Sequence, residues 1–213
     1  MKTRIYLRTF SAVVASAVMA LPAFAQDKEK KEADKKPDEG AMMAAMMELA
    51  KPGDNHKLLH EGAGNWAYKV KAWMSPDAPP SEGSGTSLGR SVMGGRYLVT
   101  DHTGKFQMPG PDGKMMDMDF KGMAVEGYDN VKKKFVASWV DNMGTGIMNS
   151  EGTYDASTKT LTYTSEYEPM PGMKMKVRQV MKFTDKDHRS MEFFEVRGDK
   201  EVKTMEISYL RKG

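Results

Sequence analysis

Cysteine is absent from all 213 residues, which excludes disulfide staples, thiolate metal sites, a cysteine nucleophile and a lipidated cysteine anchor. Beyond residue 25 no apolar run approaches the roughly 20 residues of a membrane-spanning helix, so no membrane span is expected there. An excess of one charge is also missing once the first 25 residues are set apart. The formal charge of +3 equals Lys2, Arg4 and Arg8; of 32 basic residues these three lie in that acid-free segment, leaving 29 against 29 acidic. A chain so balanced gives no electrostatic reason to expect nucleic acid as a partner.

What is present begins with that basic start, an apolar run from Ala12 to Leu21 too short to cross a bilayer, and Ala23-Phe24-Ala25 with its small-x-small pattern. This is the form of a secretory signal peptide over residues 1–25 and predicts a periplasmic or secreted protein. Residues 26–40 alternate lysines with acids and carry no large apolar side chain, so they are expected to form a disordered charged linker. Residues 41–213 then have the size of one domain.

Within that domain, Ala41 to Ala50 is rich in alanine and methionine and predicts a short helix stopped by Lys51-Pro52-Gly53. Asp54 or Asn55 caps a second, from His56 to about Glu61. From Trp66 onward the period changes to two. Trp66, Tyr68 and Val70 share one parity, as do Phe135, Ala137 and Trp139, then Met175, Val177, Met181 and Phe183, then Met205, Ile207 and Tyr209. Asp129, Asp155 and Asp185 each precede an apolar residue by six positions and predict hairpin turns, and Gly198-Asp199 a tighter one. The expected fold is all-β: an antiparallel meander of roughly eight to ten strands closed into a barrel, which removes bare edges. A sandwich is the other way to fold such evenly spaced hairpins.

Gly64-Asn65-Trp66, where helix gives way to strand, resembles the Gly-x-Trp signature of lipocalin-like (calycin) barrels. That resemblance implies that Trp66 closes one barrel end and that an arginine from the last strand, here Arg211, lies across it. Five further segments, Pro52-Gly53-Asp54-Asn55-His56-Lys57-Leu58-Leu59, Gly94-Gly95-Arg96-Tyr97-Leu98, Gly127-Tyr128-Asp129-Asn130, Ser138-Trp139-Val140-Asp141-Asn142-Met143 and Ser150-Glu151-Gly152-Thr153-Tyr154-Asp155, together resemble the bacterial domain of unknown function 1579 family. The similarity runs from about Met47 to Lys212 and implies the barrel without implying an activity. Neither the methionine content nor the charged leader belongs to that pattern.

Methionine is the compositional outlier, with 21 in the chain. It clusters at Met42, Met43, Met46 and Met47, at Met115, Met116 and Met118, and at Met170, Met173 and Met175. Grouped thioethers suit Cu(I) or absorb oxidants reversibly, and methionine is also an ordinary core filler. No metal site is assigned, since His56 and His60, four apart on a helix, have only Glu61 beside them. No histidine is obvious on an apolar inward-facing strand, which argues against haem, and no cofactor is expected. No serine stands in a nucleophile elbow and no catalytic residue is assigned. Gly83-Ser84-Gly85 and Gly94-Gly95 read as bends or bulges, and the proline-rich stretches 75–80 and 108–111 as long loops flanking a barrel mouth.

The reading that follows is a binding barrel for a small apolar or amphipathic ligand, with Tyr97, Trp139, Asp141, Asn142 and Met143 as lining residues. A methionine-rich Cu(I) or oxidative-stress protein is the alternative. A hydrolase or isomerase using Asp141 as general base is a third.

Overall fold

In the computed structural model, which describes residues 38–213 except 76 and 111, alternating side chains build ten antiparallel strands. The expected signal peptide and most of the expected linker lie outside the described residues. Helix α1 (Glu39–Leu49) buries none of its residues. Helix α2 (Asp54–His60) begins earlier than the sequence suggested, because Gly53 rather than Asp54 takes the capping position and its N–H donates to His56 Nδ1 at 3.0 Å.

The strands are β1 (Gly64–Ala72), β2 (Ser81–Val92), β3 (Tyr97–Pro109), β4 (Met115–Asp129), β5 (Lys134–Asp141), β6 (Met148–Asp155), β7 (Thr160–Met170), β8 (Met173–Phe183), β9 (His188–Arg197) and β10 (Lys200–Arg211). Each pairs with its sequence neighbours, and β1 pairs with β10, so the meander is a closed barrel. A sandwich is thereby excluded. Closure follows from register: Trp66 stands opposite Arg211, Tyr68 opposite Tyr209 and Val70 opposite Ile207, so the inward faces of the first and last strands coincide.

Aspartates shape the turns by accepting backbone N–H groups just ahead of them. Asp129 accepts from Val131 and Lys132, Asp155 from Ser157, and Asp185 from Asp187 and His188, at 2.8 to 3.0 Å. These three turns, with the one at residues 93–96, lie at the barrel end that α2 covers through its packing on β3 and β4. The connections at 73–80, 110–114, 142–147, 171–172 and 198–199 lie at the other end.

The core sits at the helix-covered end, where Leu59, Leu98, Phe135, Leu161, Tyr163 and Phe183 form one buried cluster. Trp66 is 3% exposed there and its indole N–H donates to Gly62 O at 3.0 Å. Both Arg211, at 4.2 Å, and Arg189, at 4.5 Å, lie over its ring. Arg211 also donates to the carbonyls of Ala63, Glu61 and Lys186, tying the α2–β1 junction to the β8–β9 turn. That end is sealed.

Two expectations need correction. Gly83-Ser84-Gly85 is no bend but the middle of β2, where glycine makes room for a neighbour's ring: a Cβ on Gly85 would stand 2.4 Å from the Tyr68 hydroxyl oxygen. Met108 and Pro109 are strand rather than loop, and the connection there is the short turn at 110–114. No helix among the described residues is long and apolar enough to cross a membrane.

Candidate binding site in the barrel lumen

Strand pairing fixes which side chains face the lumen, because partners across an antiparallel ladder share a face. Moving from the sealed end toward the other, the inward residues on β1 are Trp66, Tyr68, Val70 and Ala72. On β9 they are Arg189, Met191 and Phe193, and on β10 Tyr209, Ile207 and Met205. Near the seal Trp66 and Tyr68 are buried, whereas Arg189, Tyr209, Val70, Phe106, Phe120, Trp139, Met191, Phe193, Met205 and Ile207 are half-buried although they point inward. The inward side chains of the upper half are thus less completely covered than the core cluster at the sealed end.

One wall of the lumen is a continuous run of rings. Tyr209 contacts Tyr68 (centroids 6.0 Å apart), Tyr68 contacts His102 (5.8 Å), His102 contacts Trp139 (5.3 Å), Trp139 stacks on Phe120 (6.1 Å, planes at 20°) and Phe120 contacts Phe106 (5.3 Å). The rings lie against backbone that has no side chain in the way. A Cβ on Gly122 would stand 2.5 Å from the Trp139 ring, and one on Gly104 would stand 2.4 Å from the Tyr68 hydroxyl oxygen. Glycine at these positions lets the rings approach the backbone closely.

Beside the rings a polar patch runs over β4 to β8. Tyr163 donates to Glu126 Oε1 at 3.3 Å, spanning the lumen from β7 to β4. Burial holds the Glu126 carboxyl above its ordinary value, and burial with the nearby Glu126 carries the Tyr163 phenol well up. Ser150, Ser165 and Gln179 are buried beside them. Arg189 beneath is pulled down to about 10, by burial first and by Arg211 second, and so stays cationic at neutral pH. His102 falls to about 4 because its surroundings exclude water, which makes it a neutral imidazole.

The sequence-predicted lining residues separate on this frame. Trp139 is inward and its indole N–H donates to Asp141 Oδ2 at 2.7 Å, while Asp141 Oδ1 accepts the Met143 N–H at 2.9 Å. Both oxygens of Asp141 are thus engaged in fixing Trp139 and the turn. Asn142 is exposed and staples β4 to β5, accepting from Lys121 N–H and donating to Asp119 O. Met143 is 43% exposed in the same loop. Tyr97 is outward and 39% exposed, because it shares parity with Val99 rather than with Leu98. It borders an outer groove of about 870 Å³ whose charges are already matched across the sheet, Lys132 with Glu151, Lys176 with Glu166 and Arg178 with Glu201.

Other residues came to light only in three dimensions. The reading that no histidine faces inward is overturned by His102, whose polar neighbours Asp101 and Thr103 hid the parity of β3. Gln179 interrupts the inward series Met175, Val177, Met181, Phe183, and Arg189 shares the parity of Met191; both were visible as polar gaps in an apolar row. His56 and His60 do not converge on a site: His56 is buried edge-on against Tyr128, and His60 reaches Ser91. Among the described residues no group of three histidines and carboxylates could hold a metal ion. Met115 faces opposite to Met116 and Met118, as alternation along β4 requires, so the three thioethers do not converge.

The family described as "Protein of unknown function (DUF1579)" matches residues 51–211. The chain belongs to the DUF1579 family. The match spans every strand of the barrel, together with α2. Among solved structures this DUF1579 barrel is similar to Rv2717c from M. tuberculosis, at 14% identity and a TM-score of 0.53, covering 76% of this chain and all of that one. It is also similar to the S-type phycobiliprotein lyase CPES from Guillardia theta, at 10% identity and a TM-score of 0.49, covering 79% of this chain and 97% of that one. The first of these likenesses supports the fold alone. No curated protein matches the sequence.

Proposed function

We propose that this DUF1579 protein is an exported binding barrel that holds a small, mainly apolar molecule in its lumen. The observation that carries the reading is the contrast along the barrel axis. Leu161 and Phe135 are 1% and 2% exposed at the sealed end, while the inward aromatic and methionine side chains above them stay half-exposed. An apolar interior with a few buried polar groups is the usual form of a small-molecule site. Asp141 fits a positioning role for Trp139 better than a general base, since both its oxygens already accept hydrogen bonds. Export rests on the leader, residues 1–25. Native mass spectrometry of protein purified gently from its own cells tests both parts. An organic adduct on a chain beginning after Ala25 supports them; a bare mass refutes the ligand, and an intact leader refutes export.

A second reading has its own observation. Met42, Met43, Met46, Met47, Met74, Met93, Met115, Met116, Met123, Met143, Met170 and Met173 are exposed, so core filling does not account for them. Thioethers on a surface are open to two-electron oxidation to sulfoxide, which favours oxidant absorption over Cu(I) binding. Peroxide titration with peptide mapping checks it: oxidation confined to one or two methionines would count against a general sink.

A further inference from the structure

Above the floor, the inward face of the barrel has a composition of its own. Leucine fills the sealed end, as Leu59, Leu98 and Leu161. Toward the other end methionine takes over, and the strand registers put four of these methionines in the same setting. Met118 stands opposite Phe106 across β3 and β4, and Met148 opposite Trp139 across β5 and β6. Met175 stands opposite Tyr167 across β7 and β8, and Met205 opposite Phe193 across β9 and β10. One inward methionine–aromatic pair thus recurs in each hairpin from β3 to β10, around most of the ring. All eight side chains are half-buried.

Directly opposed residues of an antiparallel ladder hold their Cβ atoms about 4.5–5.5 Å apart, close enough for a thioether to meet the ring. Methionine is unbranched and turns about three side-chain bonds, so it can lie on that ring or stand away from it. A molecule that displaces the thioether takes over an apolar contact of the same kind, and little is lost in the exchange. Branched aliphatic side chains are stiffer and would give the wall one shape, whereas methionine-rich surfaces re-pack around different occupants. Asp141, the acid beside Trp139, is not free to fix one orientation, since its two oxygens already accept from Trp139 and from the Met143 N–H. A wall of this kind selects by size and polarity more than by shape.

We propose that the lumen is a broad-specificity site that accepts apolar molecules of different shapes, and that Met118, Met148, Met175 and Met205 give it that breadth. This rests on the lumen-binding reading above and adds the range of ligand and the residues that set it.

The test uses the full purified chain and three uncharged alcohols: 1-octanol, a chain; 1-adamantanol, a cage; and 1-naphthol, a plane. Each Kd from titration calorimetry is scaled by the probe's octanol–water partition coefficient, so that shape is what remains. The three scaled values are expected to agree within about tenfold. A wider spread, or binding by only one or two of the probes, overturns broad specificity and leaves the lumen reading standing. If none binds, both fall. The variant Met118→Ile/Met148→Ile/Met175→Ile/Met205→Ile places a stiff side chain that suits a strand at each position, and is expected to widen the spread beyond about tenfold. An unchanged spread in the folded variant overturns the assignment to these methionines. If the variant fails to fold, the wild type carrying methyl-13C methionine is read by NMR instead. The methyl signals of the four inward methionines are then expected to shift with every alcohol that binds, while that of Met74, 73% exposed, stays in place. Inward signals that stay in place when an alcohol binds overturn the assignment.

Discussion

Replacing His102 with phenylalanine will remove much of the protein's loss of stability in acid. His102 is wedged between Tyr68 and Trp139, and its pKa lies at about 4 against an ordinary 6.5 because the folded barrel keeps water from the imidazolium. A histidine depressed in this way leaves the unfolded chain the better proton acceptor. The stability tied to its neutral form is complete above about pH 6.5 and is lost as pH falls toward 4. From those two values the loss is about 2 kcal/mol at pH 5 and about 3 kcal/mol at pH 4, to order of magnitude. The His102→Phe variant keeps a ring in the wall and has no proton to accept. Urea unfolding followed by tryptophan emission, repeated in steps between about pH 7 and pH 4, gives the difference between the two proteins. Carboxylates elsewhere titrate equally in both and cancel. Two curves that run parallel through that range would refute the argument that His102 is held neutral by burial.

Three further outcomes follow from the same structure. Gly104→Ala brings a Cβ to 2.4 Å from the Tyr68 hydroxyl oxygen and 2.7 Å from Ser84 O, and is expected to cost about 1–3 kcal/mol; adding Tyr68→Phe should recover part of it, and denaturant midpoints of the three variants decide. Glu126 has its folded pKa raised by burial, so its contribution is present below the unfolded value and lost as pH rises through the folded one. Glu126→Gln should therefore gain stability on the wild type as pH rises above the ordinary carboxylate range, and a gap that does not widen with pH would argue against it. Arg211→Ala removes a cation from the Trp66 ring and leaves the carbonyls of Glu61, Ala63 and Lys186 without their donor, for a loss of about 2 kcal/mol or more. Arg211→Lys should recover little of that, because an ammonium cannot reach three carbonyls at once.

The parts of the barrel legible beforehand were those where large apolar side chains alternate, as in Trp66-x-Tyr68-x-Val70 and Met205-x-Ile207-x-Tyr209, and where aspartate announces a turn. Strand β2 was hidden because its inward positions are Gly83, Gly85, Ser87 and Gly89, small residues facing rings carried by β1 and β3, while its large apolar residues, Leu88 and Val92, point out, Leu88 with 39% exposure. Alternation assigns polar residues to the outside. His102, Glu126, Ser165 and Gln179 were therefore not singled out as inward, although strand pairing turns all four toward the lumen. Trp139 and Asp141 stood out because an acid two residues from a tryptophan is conspicuous at a strand end, and the structure joins them by a hydrogen bond. Tyr97 was misassigned since Arg96-Tyr97-Leu98 gives no cue to which of its neighbours turns inward.

The seam between β1 and β10 differs from the other nine junctions only in that no turn joins it. Its backbone pairing has the same antiparallel form, and Lys212 N–H donates to Asn65 O at 2.9 Å just where a turn would begin. Eight of the remaining junctions are tight or short connections between adjacent strands, so nearly all ordering is local and a single distant closure completes it. The starting point of the chain around the ring is thus arbitrary. A gene rearranged to join residue 212 to residue 53 through a linker long enough to keep α2 on β3 and β4, and to open at the turn after Asp155, would encode the same ring of strands with the sealed end intact.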